Sequence, residues 1–146
     1  RATMGKKASV HWTGAGPVGK GEISTETGQL DKVPYGVATR FGDDKKGTNP
    51  EELLAAAHAA CFAMAFSFGA KAAGFDTETV DTQADVRLKK EGDGFVIDHI
   101  ALTLKAKVPG LSAEEFQEIA AGAKAGCPLS KALASVPDIP LDAQLL

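Results

Sequence analysis

Apolar positions in this chain fall into runs of different rhythm, and each rhythm predicts a different element. Alternation comes first. Lys7 to Trp12 reads as a strand, Gly21 to Thr25 can return as a second, and Tyr35 to Phe41 offers a third. Gly14-Ala-Gly16-Pro17 supplies turn residues between the first two, and Thr27-Gly28 turns the chain again. The charged segment Gly42 to Gly47 (GDDKKG) reads as an exposed loop.

The next run is almost continuous. From Leu53 to Ala70 only His58, Ser67 and Gly69 interrupt the apolar residues. Helix start signals stand directly before it: Asn49 can cap, Pro50 suits the first helical position, and Glu52 lies three residues after the cap. Glu51 and Glu52 both suit the positive end of the helix dipole. The pattern predicts a helix to about Ala73 with Gly74 as its stop, apolar nearly all round and therefore buried on most sides.

Alternation then resumes over Thr79 to Lys89, followed by a turn at Glu91-Gly92-Asp93-Gly94 and a long strand from Phe95 to Val108 that Pro109-Gly110 ends. Ser112 with Glu115 forms a capping box for a helix ending near Gly126. Cys127-Pro128 opens a short helix to about Ser135, and Ile139 to Leu145 supplies a last strand. The predicted order is βββ-α-ββ-αα-β, an α+β fold of mostly antiparallel hairpins. At 146 residues the chain fits one domain, 1–146.

The apolar run from Leu53 to Ala70 is also at the lower length limit for crossing a bilayer. Eight of its residues are Ala, which gains little in lipid, and Glu51-Glu52 flank its start. A buried helix of a soluble domain accounts for the same pattern. The first twenty residues carry no apolar stretch of the length a secretory signal needs, so the expected location is cytoplasmic. Arg1 to Thr3 precede Met4 and read as a remnant of cloning.

With 44% apolar residues the chain is no disordered polymer. Its net charge is −3, and its Lys and Arg residues are scattered, which argues against nucleic acid and anionic membranes as partners. Gly14-Ala-Gly16-Pro17-Val18-Gly19-Lys20 matches the dinucleotide fingerprint and nearly matches a P-loop. Both motifs need a helix immediately afterwards, whereas a strand-like GEIST follows, so a hairpin turn is the better reading.

Two cysteines are too few for a disulfide-stapled domain, which leaves core filling or redox chemistry. Cys127, followed by Pro128, occupies a helix cap position where free amides and the dipole lower a thiol pKa. Cys61 lies mid-helix among Ala60, Phe62 and Met64, a setting that raises it unless a cation intervenes. His58 lies three residues from Cys61 and shares its helix face. A zinc site there would need further ligands, with only Cys127, His11 and His99 remaining, so no metal is expected. His58 is open to two readings, an influence on the Cys61 thiol or a polar patch satisfied by backbone. Phe62, Phe66, Phe68, Leu53 and Leu54 could line an apolar pocket or simply be core.

The segment from Thr48 to Phe62 (TNPEELLAAAHAACF) resembles the surroundings of the first cysteine in the OsmC/Ohr family, and Ala125 to Ser130 (AGCPLS) resembles those of the second. The likeness extends through His11-Trp12, Ser24 to Gly28, Pro34-Tyr-Gly36, Thr39-Arg40-Phe41 and Ala73-Gly-Phe75. Pro34-Tyr-Gly36 and Ala57-His58 favour the OsmC branch.

The resemblance implies an OsmC fold, an intertwined homodimer, and a thiol peroxidase that reduces organic hydroperoxides to alcohols without a cofactor. It implies that Cys61 attacks the peroxide and becomes a sulfenic acid, and that Cys127 resolves this as a disulfide. An external dithiol, often a lipoylated protein in this family, then reopens the disulfide. Arg40 matches the arginine that holds the reactive thiolate, and Glu51 the carboxylate that positions it. Glu51 and Cys61 are ten residues apart, about 15 Å along a straight helix. Direct contact between them is therefore not expected, unless the helix breaks or Arg40 bridges part of the gap. The alternative from another class is a non-enzymatic dimer of the same fold that binds hydrophobic ligands.

Overall fold

The computed structural model of the protein describes residues 3–146, so Arg1 and Ala2 of the supposed cloning remnant lie outside the described residues. The chain divides into two compact units, 1–53 and 54–146.

In the first unit β1 (Ala8–Thr13), β2 (Lys20–Thr25) and β3 (Val33–Tyr35) form an antiparallel sheet in the order β1-β2-β3. The glycine-rich segment between β1 and β2 is a hairpin connection with one 3-10 turn, Gly16–Val18. The predicted third strand is only half correct. Its first residue ends β3, and Val37–Phe41 forms a short helix, α1. Thr39, inside that predicted strand, bonds locally instead: its Oγ1 accepts from the Gly36 amide at 2.9 Å and donates to the Gly36 carbonyl at 3.1 Å. Such side-chain bonds compete with a sheet ladder, and here they start a helix.

The long helix α2 (Pro50–Ala72) begins where its capping signals stand, with the Glu52 amide donating to Asn49 Oδ1 at 2.8 Å. It ends in a Schellman pattern around Gly74 (φ 95°): the Phe75 amide reaches the Ala70 carbonyl and the Gly74 amide reaches the Lys71 carbonyl.

The second unit carries β4 (Thr79–Glu91), β5 (Gly94–Lys107), α3 (Ala113–Gly126), α4 (Pro128–Ala132) and β6 (Leu141–Leu145). β4 and β5 pair along their whole length through a tight turn that Gly92 (φ 58°) permits. β6 joins β5 in parallel, so this sheet is mixed, one parallel pair within a mostly antiparallel pattern. A parallel partner needs a long crossover, and α3 with α4 supplies it. α4 is shorter than predicted, because residues 133–135 are only turn.

The core of this unit joins Phe62, Phe66 and Ala70 of α2 to Ile100, Leu102, Leu104 and Ala106 of β5 and Phe116 and Ala120 of α3. The four β5 residues are two apart and share one sheet face. Phe66 and Phe116 meet edge-on with centroids 5.5 Å apart. Thr82 Oγ1 donates to the Ala59 carbonyl at 2.9 Å, fixing β4 to α2.

α2 is not buried on most sides. Its buried residues are His58, Phe62, Phe66 and Ala70, a single stripe four residues apart, whereas Met64 and Phe68 are 62% and 70% exposed. Among the described residues it is the one helix long and apolar enough to cross a membrane. Its packed stripe and the bond to Thr82 make it part of a folded core.

Candidate active site

Two clusters of predicted residues are present, one in each unit. In the second unit Cys61 and Cys127, 66 positions apart in sequence, bring their sulfurs within 2.8 Å in hydrogen-bond contact. Both thiols are free. Cys61 stands in the middle of α2 and is half-buried. Cys127 is 1% exposed and occupies the junction where α3 ends and Pro128 opens α4.

The two sulfurs differ in acidity. Burial pushes the Cys61 thiol above its ordinary range, and the hydrogen bond with Cys127 adds to this, against a lowering contribution from the Leu129 amide. Burial also pushes Cys127 upward. The hydrogen bond with Cys61, the amide and hydroxyl of Ser130 and the Leu129 amide together outweigh it, so this thiol lies below its ordinary range. Both directions agree with the helix positions of the two cysteines.

His58 adjoins this pair. It is fully buried, and its Nε2 lies 2.8 Å from Ser130 Oγ. Burial alone pushes its pKa down, which keeps the ring neutral near pH 7. The structure therefore gives His58 a partner, but the partner is a hydroxyl beside Cys127 and not the Cys61 thiol or a backbone group. Ser130 was not singled out from the sequence. The available signal was spacing, since His58 and Cys61 are three apart on α2 and Cys127 and Ser130 are three apart at the start of α4.

In the first unit Arg40 and Glu51 form a bidentate ion pair, Nε to Oε1 at 2.9 Å and Nη2 to Oε2 at 2.8 Å. The hydrogen bond to Glu51 raises the Arg40 pKa further, so the guanidinium is permanently charged. Its planar group also lies 5.2 Å from the centre of the Phe41 ring. Asn49 makes this pairing possible. While its Oδ1 caps α2, its Nδ2 donates to the Thr39 carbonyl at 3.0 Å, tying the end of α1 to the start of α2. An open cleft of about 440 Å³ beside Arg40 is lined mainly by polar residues, among them Thr39, Asp44, Lys45 and Glu52. α2 is unbroken, which removes a helix break between Glu51 and Cys61 as an option.

Of the phenylalanines that could line an apolar pocket or be core, two are core. Phe62 and Phe66 are fully buried core residues, while Phe68 is exposed. Packing claims the two that share the helix's inward stripe.

The family profile described as OsmC-like protein matches residues 42–142. The chain is 51% identical over 143 residues to Peroxiredoxin OsmC of Escherichia coli, covering 98% of each chain. It is 37% identical over 99 residues to the organic hydroperoxide resistance protein OhrA of Bacillus subtilis, covering 67% of this chain and 68% of that one. Among solved structures, an organic hydroperoxide resistance protein OsmC from Legionella pneumophila superposes with a TM-score of 0.76 at 29% identity, over 99% of both chains.

Proposed function

Because the chain belongs to the OsmC family, we propose that it is a cysteine-based peroxidase that reduces organic hydroperoxides to alcohols. The single observation that carries this reading is the meeting of the two cysteines, 66 positions apart, with sulfurs at 2.8 Å. Relatives named peroxiredoxin and organic hydroperoxide resistance protein support the same activity.

Cys61 is the attacking sulfur. Its greater exposure favours this, because a bulky oxidant cannot reach a residue that is 1% exposed, as Cys127 is. The downward shift at Cys127 is no obstacle: in a singly ionised pair, moving the remaining hydrogen onto Cys127 puts the charge on Cys61, since the ionisation belongs to the pair. The family resemblance gives Arg40, held by Glu51, the role of the cation that favours a thiolate at the attacking cysteine. The Cys61 thiolate takes the outer peroxide oxygen and becomes a sulfenic acid. The alkoxide leaves as alcohol with the proton that Cys127 carried. Cys127, again a thiolate, then attacks the Cys61 sulfenic sulfur and forms the disulfide, and an external dithiol such as a lipoylated protein reopens it.

The protein acts in the cytoplasm as a homodimer of one domain spanning 1–146. Exposed Met64 and Phe68 on α2 support dimerisation, because they leave apolar surface for a second copy to cover.

The test is a thiol titration before and after one equivalent of cumene hydroperoxide. The peroxidase loses both thiols, and a hydrophobic-ligand binder loses none. Turnover retained in Cys61→Ser would defeat the assignment.

A further inference from the structure

His58 is fully buried and titratable, yet the reaction above makes no use of it. Among the described residues its one hydrogen-bond partner is Ser130 Oγ, through Nε2 at 2.8 Å, while its Nδ1 is buried with no partner. That orphan atom assigns the tautomer. A stranded N–H is costlier than an unfilled lone pair, so the ring hydrogen belongs on Nε2. Nε2–H then donates to Ser130 Oγ. With its oxygen so occupied, Ser130 turns its own hydrogen toward Cys127, the sulfur it hydrogen-bonds.

The arrangement is two matched pairs. Cys61 and His58 are three apart on α2, Cys127 and Ser130 are three apart at the start of α4, and the pairs meet partner to partner. We infer that His58 and Ser130 are positioning residues that hold Cys127 as the nucleophile of the resolving step. This rests on the peroxidase reading.

The step balances as follows. The Cys127 thiolate gives an electron pair to the Cys61 sulfenic sulfur, forming the S–S bond and breaking the S–O bond. Cys127 is oxidised and Cys61 reduced. Hydroxide departs with the S–O pair and takes a proton from solvent to become water. His58 and Ser130 keep their protons throughout. Their part is to hold the sulfur charged and aimed until the bond forms.

The experiment mixes fully reduced protein with one equivalent of cumene hydroperoxide and stops the reaction at intervals. Dimedone trapping measures the Cys61 sulfenic acid, and non-reducing mass spectrometry measures the disulfide. In Ser130→Ala the sulfenic acid still forms, but its conversion to disulfide slows roughly 10- to 100-fold, the effect of one lost hydrogen bond to a charged group. Ser130→Thr restores the hydroxyl and most of the rate. His58→Gln keeps an N–H donor near the Nε2 position and stays close to wild type.

Disulfide formation at the wild-type rate in Ser130→Ala overturns the inference, as does a Thr variant as slow as the Ala variant, because a role in packing alone gives no rescue. Absence of sulfenic acid in the wild-type chain sinks the peroxidase reading itself, and this inference with it.

Discussion

Cys61 and Cys127 meet each other from opposite kinds of helical setting. Cys61 is carried mid-helix by α2, beside the stripe of His58, Phe62 and Phe66 that packs the helix into the core. No free amide of its own helix is available to it, and its thiol is pushed up by burial. Cys127 stands between two helices, where the first turn of α4 presents unpaired amides, and its thiol is pushed down despite deeper burial. The hydrogen bond with Cys61, together with Ser130 and the Leu129 amide, thus outweighs desolvation at Cys127, whereas desolvation prevails at Cys61. The sulfur whose pKa is lowered is also the harder to reach, so access and acidity fall to different members of the pair.

The harshest way to break this division is Cys61→Ser, which should abolish peroxide turnover entirely in a coupled dithiol assay. If activity survives there and is lost only in Cys127→Ser, the division is reversed. The packed side of the comparison is tested by Phe62→Ala, which should lower unfolding free energy by about 3–5 kcal/mol in a denaturant titration. A much smaller loss would mean that α2 is not what anchors Cys61. Asn49→Ala should cost about 1 kcal/mol by the same measurement, through the α2 cap. It should also loosen the Arg40–Glu51 pair and slow peroxide reduction.

The smallest effect concerns His58. Burial lowers its pKa in the folded chain, so below about pH 6.5 the unfolded chain binds a proton that the folded chain declines. Stability is therefore full above that value and falls as pH drops toward the lowered one. In His58→Gln the melting temperature should fall less steeply across this window; an identical slope would show that His58 is not the group responsible.

Local chemistry was what the sequence made legible. Asn49, Pro50 and Glu52 located the start of α2, and Gly74 its end, because caps are decided by neighbours in the chain. Tyr35 to Phe41 was misread because Thr39 serves a strand or a cap equally well, and only its bond to Gly36 settles which. The direction of β6 depends on a crossover through two helices, which alternation cannot encode. The exposure of Met64 and Phe68 was also hidden, since an alanine-rich helix looks alike on every side. For the site, composition left core filling and redox chemistry both open. The shift at Cys127 could be read from Pro128 after it, but the approach of Cys61 depends on folding across 66 positions and was available only through resemblance. Ser130 had no signal beyond its spacing.

The span between the cysteines has one more consequence. A bond between them would close a ring of 66 residues, and in the chain-entropy account such a ring removes about 4 kcal/mol worth of freedom from the denatured ensemble. Each oxidation would thus leave a tougher molecule and each reduction a softer one, so heat resistance would follow the supply of oxidant. The same free energy favours the oxidised form, and any reductant must work against it to set the ring open again.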